Sequence, residues 1–328
     1  MNKNTTRRTL ISGLASVALL GAATMAPALA QGFPNKPIKF VVPFPPGSAT
    51  DTSARYFAKK LSEMTSQPVV IDNKAGGNSL IAVRAVLAAP ADGYTVFIGS
   101  NSSLAVNAAL FKSLPYDPIA DFSPLTMMVR APAVLIVPGT SSHTTLPELI
   151  AAAKTKPGAL NYAHGSAGYQ LMAELFNESA NVRTYGVPFK SATDSVVAVA
   201  SDTVQFAFVE ITSAQELVKS GKLRALAVAS ANRVSALPSV PTSAEAGLPG
   251  FSAYVWVAAM VSSKTPKSET EKLAALMMKI ENLAETREFY ERIGGEVMRG
   301  GPEEMRAFQN AEIDLWKRIA VKAKIEQQ

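Results

Sequence analysis

A run of small and turn-forming residues, Gly47 to Asp51, separates an apolar segment from a helical one, and such a turn is suited to binding an anion. The segment from Ile38 to Val42 alternates β-branched and aromatic residues, which predicts a buried strand. We predict that a helix follows from Ser53 to Met64, with Thr50 or Asp51 as its cap. The first N–H groups of a helix lack partners and carry partial positive charge, so they attract a carboxylate or phosphate. An ordinary capped turn has the same local pattern, and both interpretations stay open here.

Two later turns repeat this order of strand, small residues and helix. Ser100 to Ser103 follows a predicted strand from Tyr94 to Gly99, and His164 to Gly168 precedes a predicted helix from Tyr169 to Ser179. Ligands of open α/β sheets gather outside the carboxyl ends of the strands. We therefore predict that helix starts on opposite sides of one cleft can hold a dicarboxylate between them. For Ser100 to Ser103, a plain helix cap is an equally good interpretation.

Catalytic groups are scarce in this sequence. The only histidines are His143, in a Ser/Thr-rich loop, and His164, close to Ser166. The His164 and Ser166 pair suggests a hydrolase, but the Gly-x-Ser-x-Gly pattern of a nucleophile elbow is absent. Two distant histidines without cysteine do not make a zinc site, and no dinucleotide or phosphate-loop motif occurs. We predict no enzyme, metal or cofactor, with a periplasmic serine hydrolase as the disfavoured alternative.

The order of predicted elements indicates two similar α/β domains with discontinuous sequence. Strand-helix units occur before and after two short apolar strands, predicted at Leu125–Val129 and Val134–Val137. We interpret this pair as one crossing between the domains, and the aromatic-rich strand from Tyr254 to Val261 as the return. One domain then comprises residues 31–132 and 255–328, and the other comprises residues 133–254. A ligand cleft at such a two-strand hinge can close by domain motion.

Composition indicates a folded, soluble chain. Of its 328 residues, 48% are hydrophobic and 18% are charged, so a large core is available. The first thirty residues, interpreted below as a leader, contain Lys3, Arg7 and Arg8 and no acidic residue. Without them, 29 of the 32 basic residues remain against 26 acidic ones, and the net charge falls from +6 to +3. This modest excess is scattered, so nucleic acid is not an expected partner. The absence of cysteine excludes disulfides, thiolate metal sites and a lipidated anchor.

The N-terminal segment has the pattern of an export signal. Arg7 and Arg8 precede an apolar run from Leu10 to Ala23, and Ala28-Leu29-Ala30 has the small-x-small form of a cleavage site. We predict a signal peptide at 1–30 and a mature chain free in the periplasm, with ordinary secretion and twin-arginine export both open. A membrane anchor is the weaker interpretation, because the apolar run is short and is broken by glycine and proline.

Six ordered motifs make the pattern specific. They are Pro37–Gly47 with Thr50-Asp51, Leu114–Pro118 with Asp121-Phe122, Lys156-Pro157-Gly158, Val187–Lys190, Gly221–Val228, and Leu237–Thr242 with Glu245–Gly247. Through them the chain resembles the substrate-binding receptors of tripartite tricarboxylate transporters, also called Bug proteins, over essentially the whole mature length. The resemblance implies a type II periplasmic binding-protein fold, and a receptor that captures a carboxylate-bearing solute and delivers it to a two-component membrane permease. Some members of the family act instead as ligand sensors for signalling partners, and we expect a monomer.

The resemblance also implies a site. In the family, two loops hold the proximal carboxylate, largely through main-chain amides and ordered waters, and in this chain these loops are 44–51 and 164–170. The ligand-binding residues predicted on this basis and from the strand ends are Phe44, Pro46, Gly47, Ser48, Ala49, Thr50, Asp51, Ser100, Ser102, His164, Gly165, Ser166, Ala167, Gly168, Gln170, Phe189, Lys190 and Glu210.

Both loops and position 210 depart from the family pattern and predict a ligand preference different from that of the relatives. Ser48 and Ala49 stand where glycines are usual, which adds side chains where backbone access matters. In the second loop, His164 precedes the turn, and Gln170-Leu171 stands where a His-Leu pair is usual. Glu210 stands where an amide or aspartate is common. If it faces the pocket, Glu210 repels a second carboxylate and favours an amino group or a shorter acid. If it faces solvent it does neither, and the sequence leaves both orientations open.

Overall fold

A mixed β-sheet with flanking helices is the architecture of the computed structural model, which describes residues 32–327. The predicted signal peptide at 1–30 lies outside these residues. All the elements below belong to the compact unit that begins at Lys36. Between residues 32 and 327, every helix is too short or too polar to cross a bilayer.

Ten strands build the sheet in the described part of the chain, and most are short, apolar and bounded by turn residues, as their sequences predict. They are β1 (Ile38–Val42), β2 (Val69–Asn73), β3 (Thr95–Ser100), β4 (Phe122–Pro138), β5 (Asn161–His164), β6 (Tyr185–Pro188), β7 (Phe206–Glu210), β8 (Leu223–Val228), β9 (Tyr254–Ser262) and β10 (Glu296–Val297).

The order of strands across the sheet is β2-β1-β3-β9-β4-β7-β5-β6, with β8 and β10 also paired to β4. Strands β2, β1 and β3 run parallel on one side, and β7, β5 and β6 run parallel on the other. The long strands β4 and β9 are antiparallel to each other and lie between these two groups. Each parallel group therefore directs the carboxyl ends of its strands toward a single edge, where loops and helix starts collect.

Strand β4 corrects the prediction of two separate strands, since it runs unbroken through residues 130–132. It pairs with β9 as far as Pro132, opposite Tyr254, and with β7 from Ala133, opposite Glu210. Proline lacks a backbone donor, but the N–H of Ala133 bonds to Ala253 O at 2.9 Å and continues the ladder. A strand with partners on both sides tolerates the residues that would end an isolated one.

The helices cover the sheet through amphipathic faces. They are α1 (Ala49–Thr65), α2 (Leu80–Leu87), α3 (Asn107–Leu110), α4 (Leu146–Thr155), α5 (Ala167–Ala180), α6 (Ala192–Ala200), α7 (Ile211–Lys219), α8 (Lys267–Glu281), α9 (Ala284–Arg292) and α10 (Pro302–Lys322), with a 3₁₀ turn at Gly77–Ser79 and a π-helical turn at Ser102–Val106.

Helix α1 begins earlier than predicted and has a different cap. Ser48 is the N-cap: its backbone is extended, and its Oγ accepts a hydrogen bond from the Asp51 N–H at 3.2 Å. The predicted caps, Thr50 and Asp51, lie inside the first turn and are buried. The earlier start brings the first free amides of α1 directly to the end of the loop that follows β1. Residues 243–247 form turns, and Thr242 bridges to Val228.

Candidate functional site

The start of α1 presents backbone donors toward a cavity. Because Ser48 Oγ already accepts from Asp51, the amides of Ala49 and Thr50 remain for other partners. The Ala49 N–H bonds to Glu210 Oε1 at 3.3 Å. The Thr50 N–H has no hydrogen-bond partner within residues 32–327. The helix therefore offers at least one unused amide, at its positively polarised end.

The Asp51 carboxylate stabilises the loop that precedes α1 through hydrogen bonds and an ion pair. Its Oδ2 accepts from the Gly47 N–H at 2.9 Å and pairs with Arg55 Nε at 2.8 Å, and its Oδ1 accepts from Asn73 Nδ2 at 2.8 Å. Burial alone would raise the pKa of Asp51, but its bonds to Arg55, Asn73 and Gly47 outweigh burial and lower it. The carboxylate is thus occupied within the protein and does not line the cavity.

An inner cavity of about 20 Å³ lies between the loops at the carboxyl ends of the two groups of parallel strands. Nine of the predicted residues line it, together with six that were not predicted. The predicted ones are Phe44, Ser48, Ala49, Thr50, Ser100, Ser102, Gly165, Ser166 and Glu210, and the others are Asn101, Tyr169, Met172, Ser191, Ala192 and Val255.

A wider outer cavity, of about 600 Å³, adjoins the inner one and shares Phe44, Ser102, Gly165 and Ser166 with it. Phe189 and Lys190 line only this outer space, and the Lys190 side chain is exposed there. The rest of the predicted set contributes to the walls of neither cavity. These residues are Pro46, Gly47, Asp51, His164, Ala167, Gly168 and Gln170.

The end of β3 supplies polar side chains that the protein leaves unbonded. Ser100 and Asn101 are 1% and 2% exposed, and neither Ser100 Oγ nor Asn101 Nδ2 has a hydrogen-bond partner within residues 32–327. Buried polar groups are ordinarily bonded, because an unbonded one costs roughly 1–3 kcal/mol. Both residues line the inner cavity, so a polar ligand there would satisfy them. Asn101 was missed in the sequence, although it stands between the predicted Ser100 and Ser102.

The turn before α5 completes the opposite wall. A Cβ on Gly165 would lie 2.0 Å from the Ser191 carbonyl carbon, so only glycine allows the starts of α5 and α6 to approach this closely. The Gly168 N–H donates to Ser102 Oγ at 3.1 Å, which joins α5 to the end of β3. Side chains and amides from three helix starts, α1, α5 and α6, thereby line one small space.

Glu210 faces the cavity and not solvent. Its side chain is 3% exposed and accepts hydrogen bonds from the Tyr169 hydroxyl and from the Ala49 N–H. Burial, and then the nearby Glu210 charge, raise the pKa of Tyr169 well above its usual value, so this hydroxyl stays protonated and donates. The orientation that the sequence left open is therefore the inward one. Tyr169 itself was not predicted to line the cavity, because nothing in the local pattern distinguishes it from a core residue.

His164 has no catalytic partner in this arrangement. It is half-buried beside the Tyr162 ring, at a centroid distance of 5.8 Å, and this burial lowers its pKa to about 4. Within residues 32–327, no hydrogen bond joins the His164 ring to the Ser166 hydroxyl, and no cluster of His, Asp or Glu could hold a metal ion. His164 and Ser166 are therefore neighbours along the loop and do not form a nucleophile and base pair.

Comparison with known proteins assigns the family. The family model described as the tripartite tricarboxylate transporter family receptor matches residues 53–325. The chain belongs to this receptor family. It is 34% identical to protein BugT of Bordetella pertussis over 320 residues, which cover 95% of this chain and 96% of BugT.

Solved structures agree with this assignment. An R. palustris protein solved with adipate is 32% identical, with a TM-score of 0.85, over 90% of this chain and 99% of that one. The periplasmic binding protein BugD is 26% identical, with a TM-score of 0.83, over 90% of this chain and all of BugD. The predicted family and α/β periplasmic-binding-protein fold are thus confirmed, and the chain is a receptor and not an enzyme.

Proposed function

We propose that this receptor captures a small carboxylate-bearing metabolite in the inner cavity and delivers it to a membrane permease. The observation that carries the proposal is the unbonded state of Ser100 Oγ, Asn101 Nδ2 and the Thr50 N–H around one space. A carboxylate loses several kcal/mol on leaving water, and each hydrogen bond to a charged group returns about 1.5–3 kcal/mol. A few such donors suffice for micromolar affinity, which corresponds to about −8 kcal/mol.

The path into the cavity carries one charged side chain of each sign. Lys190 and Asp194 are both exposed on the wall of the outer cavity, so Lys190 can pair with an entering carboxylate but the wall has no net positive charge. Phe44 lines both cavities, so an apolar ligand body can remain in contact with it during entry. The adipate found in the R. palustris structure is a small carboxylate of this kind, carried by a protein with the same fold.

We further propose that residues 31–132 with 255–328 form one domain, that residues 133–254 form the other, and that β4 and β9 act as the hinge. The change of partner of β4 between Pro132 and Ala133 supports this division. The walls of the inner cavity come from both proposed domains, with Ser100 and Asn101 from one and Gly165 and Glu210 from the other, so we infer that they separate to admit a ligand. Export to the periplasm through the 1–30 leader is part of the same proposal.

A thermal-shift screen followed by calorimetry tests the capture step. Dicarboxylates, tricarboxylates, aromatic acids and amino acids are each added to the purified chain without its leader. At least one carboxylate should raise the melting temperature and bind with micromolar or better affinity. If no compound in these classes shifts the melting temperature, carboxylate capture is wrong. Delivery is tested separately, because uptake of the labelled ligand into cells should fall when the gene for this receptor is deleted.

A further inference from the structure

An acidic group forms one wall of the inner cavity. Glu210 lines this cavity and also a second one of about 20 Å³ behind it, to which Ser53, Thr212 and apolar side chains of β4 and β9 contribute. Among the described residues that line either cavity, there is no lysine, arginine or histidine. The pocket proposed to bind an anion therefore contains an anion of its own and no cationic side chain.

The contacts of Glu210 leave its charge only partly compensated. Its Oε2 accepts from the Tyr169 hydroxyl and its Oε1 from the Ala49 N–H, and within residues 32–327 it belongs to no ion pair. The starts of α1 and α7 lie beside it and contribute partial positive charge. A carboxylate can accept about four hydrogen bonds, so roughly half of its capacity is unused. A buried carboxylate without a full positive charge nearby is costly, and a cation supplied by the ligand would remove that cost.

We propose, on the basis of the carboxylate-binding function above, that Glu210 receives a cationic amino group of the ligand. The ligand carboxylate bonds to Ser100, Asn101 and the Thr50 amide, and its ammonium group donates to Glu210. The receptor then selects zwitterionic aminocarboxylates. A dicarboxylate of similar length is rejected, because its second carboxylate would lie against Glu210 without a cation between them.

The test uses ligands matched in length. Pentanoate, 4-aminobutanoate and glutarate each carry one carboxylate and three methylene groups, and they end in a methyl, an ammonium or a second carboxylate. A fourth compound, 2-aminopentanoate, places the ammonium beside the carboxylate. In calorimetry, the better of the two amino acids should bind at least about tenfold more tightly than pentanoate and than glutarate.

Variants of Glu210 connect the preference to this side chain. Glu210→Gln should remove the preference for the amino acid and bind glutarate more tightly than wild type does. Glu210→Asp keeps the negative charge, so it should still bind the amino acid more tightly than pentanoate or glutarate. The matched control is Glu174→Gln. Like Glu210, Glu174 accepts a hydrogen bond from a tyrosine hydroxyl, that of Tyr162 at 2.6 Å, but it lines neither cavity. This control should keep the wild-type order. Melting curves verify that each variant is folded.

Two results would overturn the inference. One is wild-type protein that binds glutarate or pentanoate as tightly as it binds the better of the two amino acids. The other is a folded Glu210→Gln variant that keeps the wild-type preference. Failure of the broader proposal looks different, since then no carboxylate of any class binds. If Glu210→Gln does not fold, the ligand order of wild type and of Glu210→Asp still decides the matter.

Discussion

Two buried asparagines close together on the chain have opposite roles. Asn107 donates from Nδ2 to Asn78 O at 2.8 Å and to the Tyr116 hydroxyl at 3.1 Å, so its side chain holds the structure together. Asn101 has an unbonded Nδ2 that lines the inner cavity. Asn107 Oδ1 also lacks a partner within residues 32–327, so the two roles are separated by the bonds of Nδ2 and by the cavity, which only Asn101 lines.

We therefore predict that Asn101→Ala and Asn107→Ala have contrasting effects. Asn101→Ala should change the free energy of unfolding by less than about 1 kcal/mol, since no bond of Nδ2 is lost, and should weaken carboxylate binding about tenfold. Asn107→Ala should lower the free energy of unfolding by about 1–3 kcal/mol and leave the affinity of the folded protein unchanged. Urea unfolding and calorimetry measure both. Equal loss of affinity in the two variants would contradict the assignment of Asn101.

Glu281 makes stability depend on pH. This carboxyl group is buried, accepts from Thr126 Oγ1 at 2.5 Å, and bonds to the Gly300 N–H at 3.4 Å. Burial raises its pKa to about 7, although the bonds to Thr126 and Gly300 act in the opposite direction. An unfolded glutamate has a pKa of about 4.3, so the folded state holds the proton more tightly between these pH values. Stability is thus full below the unfolded pKa and declines as the pH rises toward 7 and above.

Replacement of Glu281 by glutamine should remove this decline. We expect Glu281→Gln to be more stable than wild type by about 1–2 kcal/mol at pH 8, with no advantage below pH 4, because wild type is then protonated in both states. The exposed Glu288→Gln serves as the control for loss of one negative charge. Denaturant unfolding across this pH range gives the answer. A gain that is the same at pH 4 and pH 8 would show that packing, and not ionisation, is responsible.

At the scale of elements, the sequence predicts β1, β3, β9 and the helices α1 and α5, because apolar periodicity and turn residues are local signals. The residues of α9, Ala284–Arg292, are mostly charged and polar, so this helix has little apolar periodicity of its own. That helix is held by tertiary packing, since Phe289 stacks on Tyr56 with ring centroids 4.3 Å apart. The unbroken course of β4 was missed for a similar reason, because its partners are distant in sequence.

The inner cavity also has walls that the sequence predicts and walls that it does not. Its loops at 44–51 and 164–170 were predicted from motifs, and Gly165, Ser166 and the start of α1 do lie on its walls. Met172 and Val255 were not predicted, because apolar residues on a helix and a strand look like ordinary core. Which wall residues keep unbonded donors depends on the packing of all the elements, and no local pattern contains that information.

The cap of α1 gives a prediction at this scale. Ser48→Ala removes the acceptor for the Asp51 N–H and should lower the free energy of unfolding by about 1 kcal/mol. Ser48→Asp keeps a capping oxygen, so it should lose less stability than the alanine variant. It also places a negative charge on the cavity wall, and carboxylate affinity should fall more than in Ser48→Ala. Melting curves and calorimetry on the pair separate the two effects, and an opposite order of affinities would contradict the placement of Ser48.

For the whole molecule, contacts between distant segments hold the cavity walls together. Gly168 on α5 bonds to Ser102 beyond β3, Glu210 at the end of β7 bonds to the start of α1, and Lys322 on α10 pairs with Glu178 on α5. Each bond joins segments that belong to different domains in the proposed division. Under that proposal, opening of the cleft would break these bonds.

Small-angle X-ray scattering checks this motion. The radius of gyration of the ligand-free protein should exceed that of the protein saturated with a bound carboxylate, because the hinge at β4 and β9 opens when no ligand bridges the walls. Lys322→Ala should widen the difference slightly by removing one bridging pair. Identical scattering with and without ligand would argue against hinge closure, and would leave the binding site itself to be tested directly.

That direct test is a crystal structure with the tightest carboxylate from the screen. We expect carboxylate oxygens within hydrogen-bond distance, about 2.7–3.2 Å, of Ser100 Oγ, Asn101 Nδ2 and the Thr50 N. A carboxylate bound elsewhere, for example in the surface groove that contains Arg130 and Arg233, with the inner cavity empty, would contradict the proposed binding site.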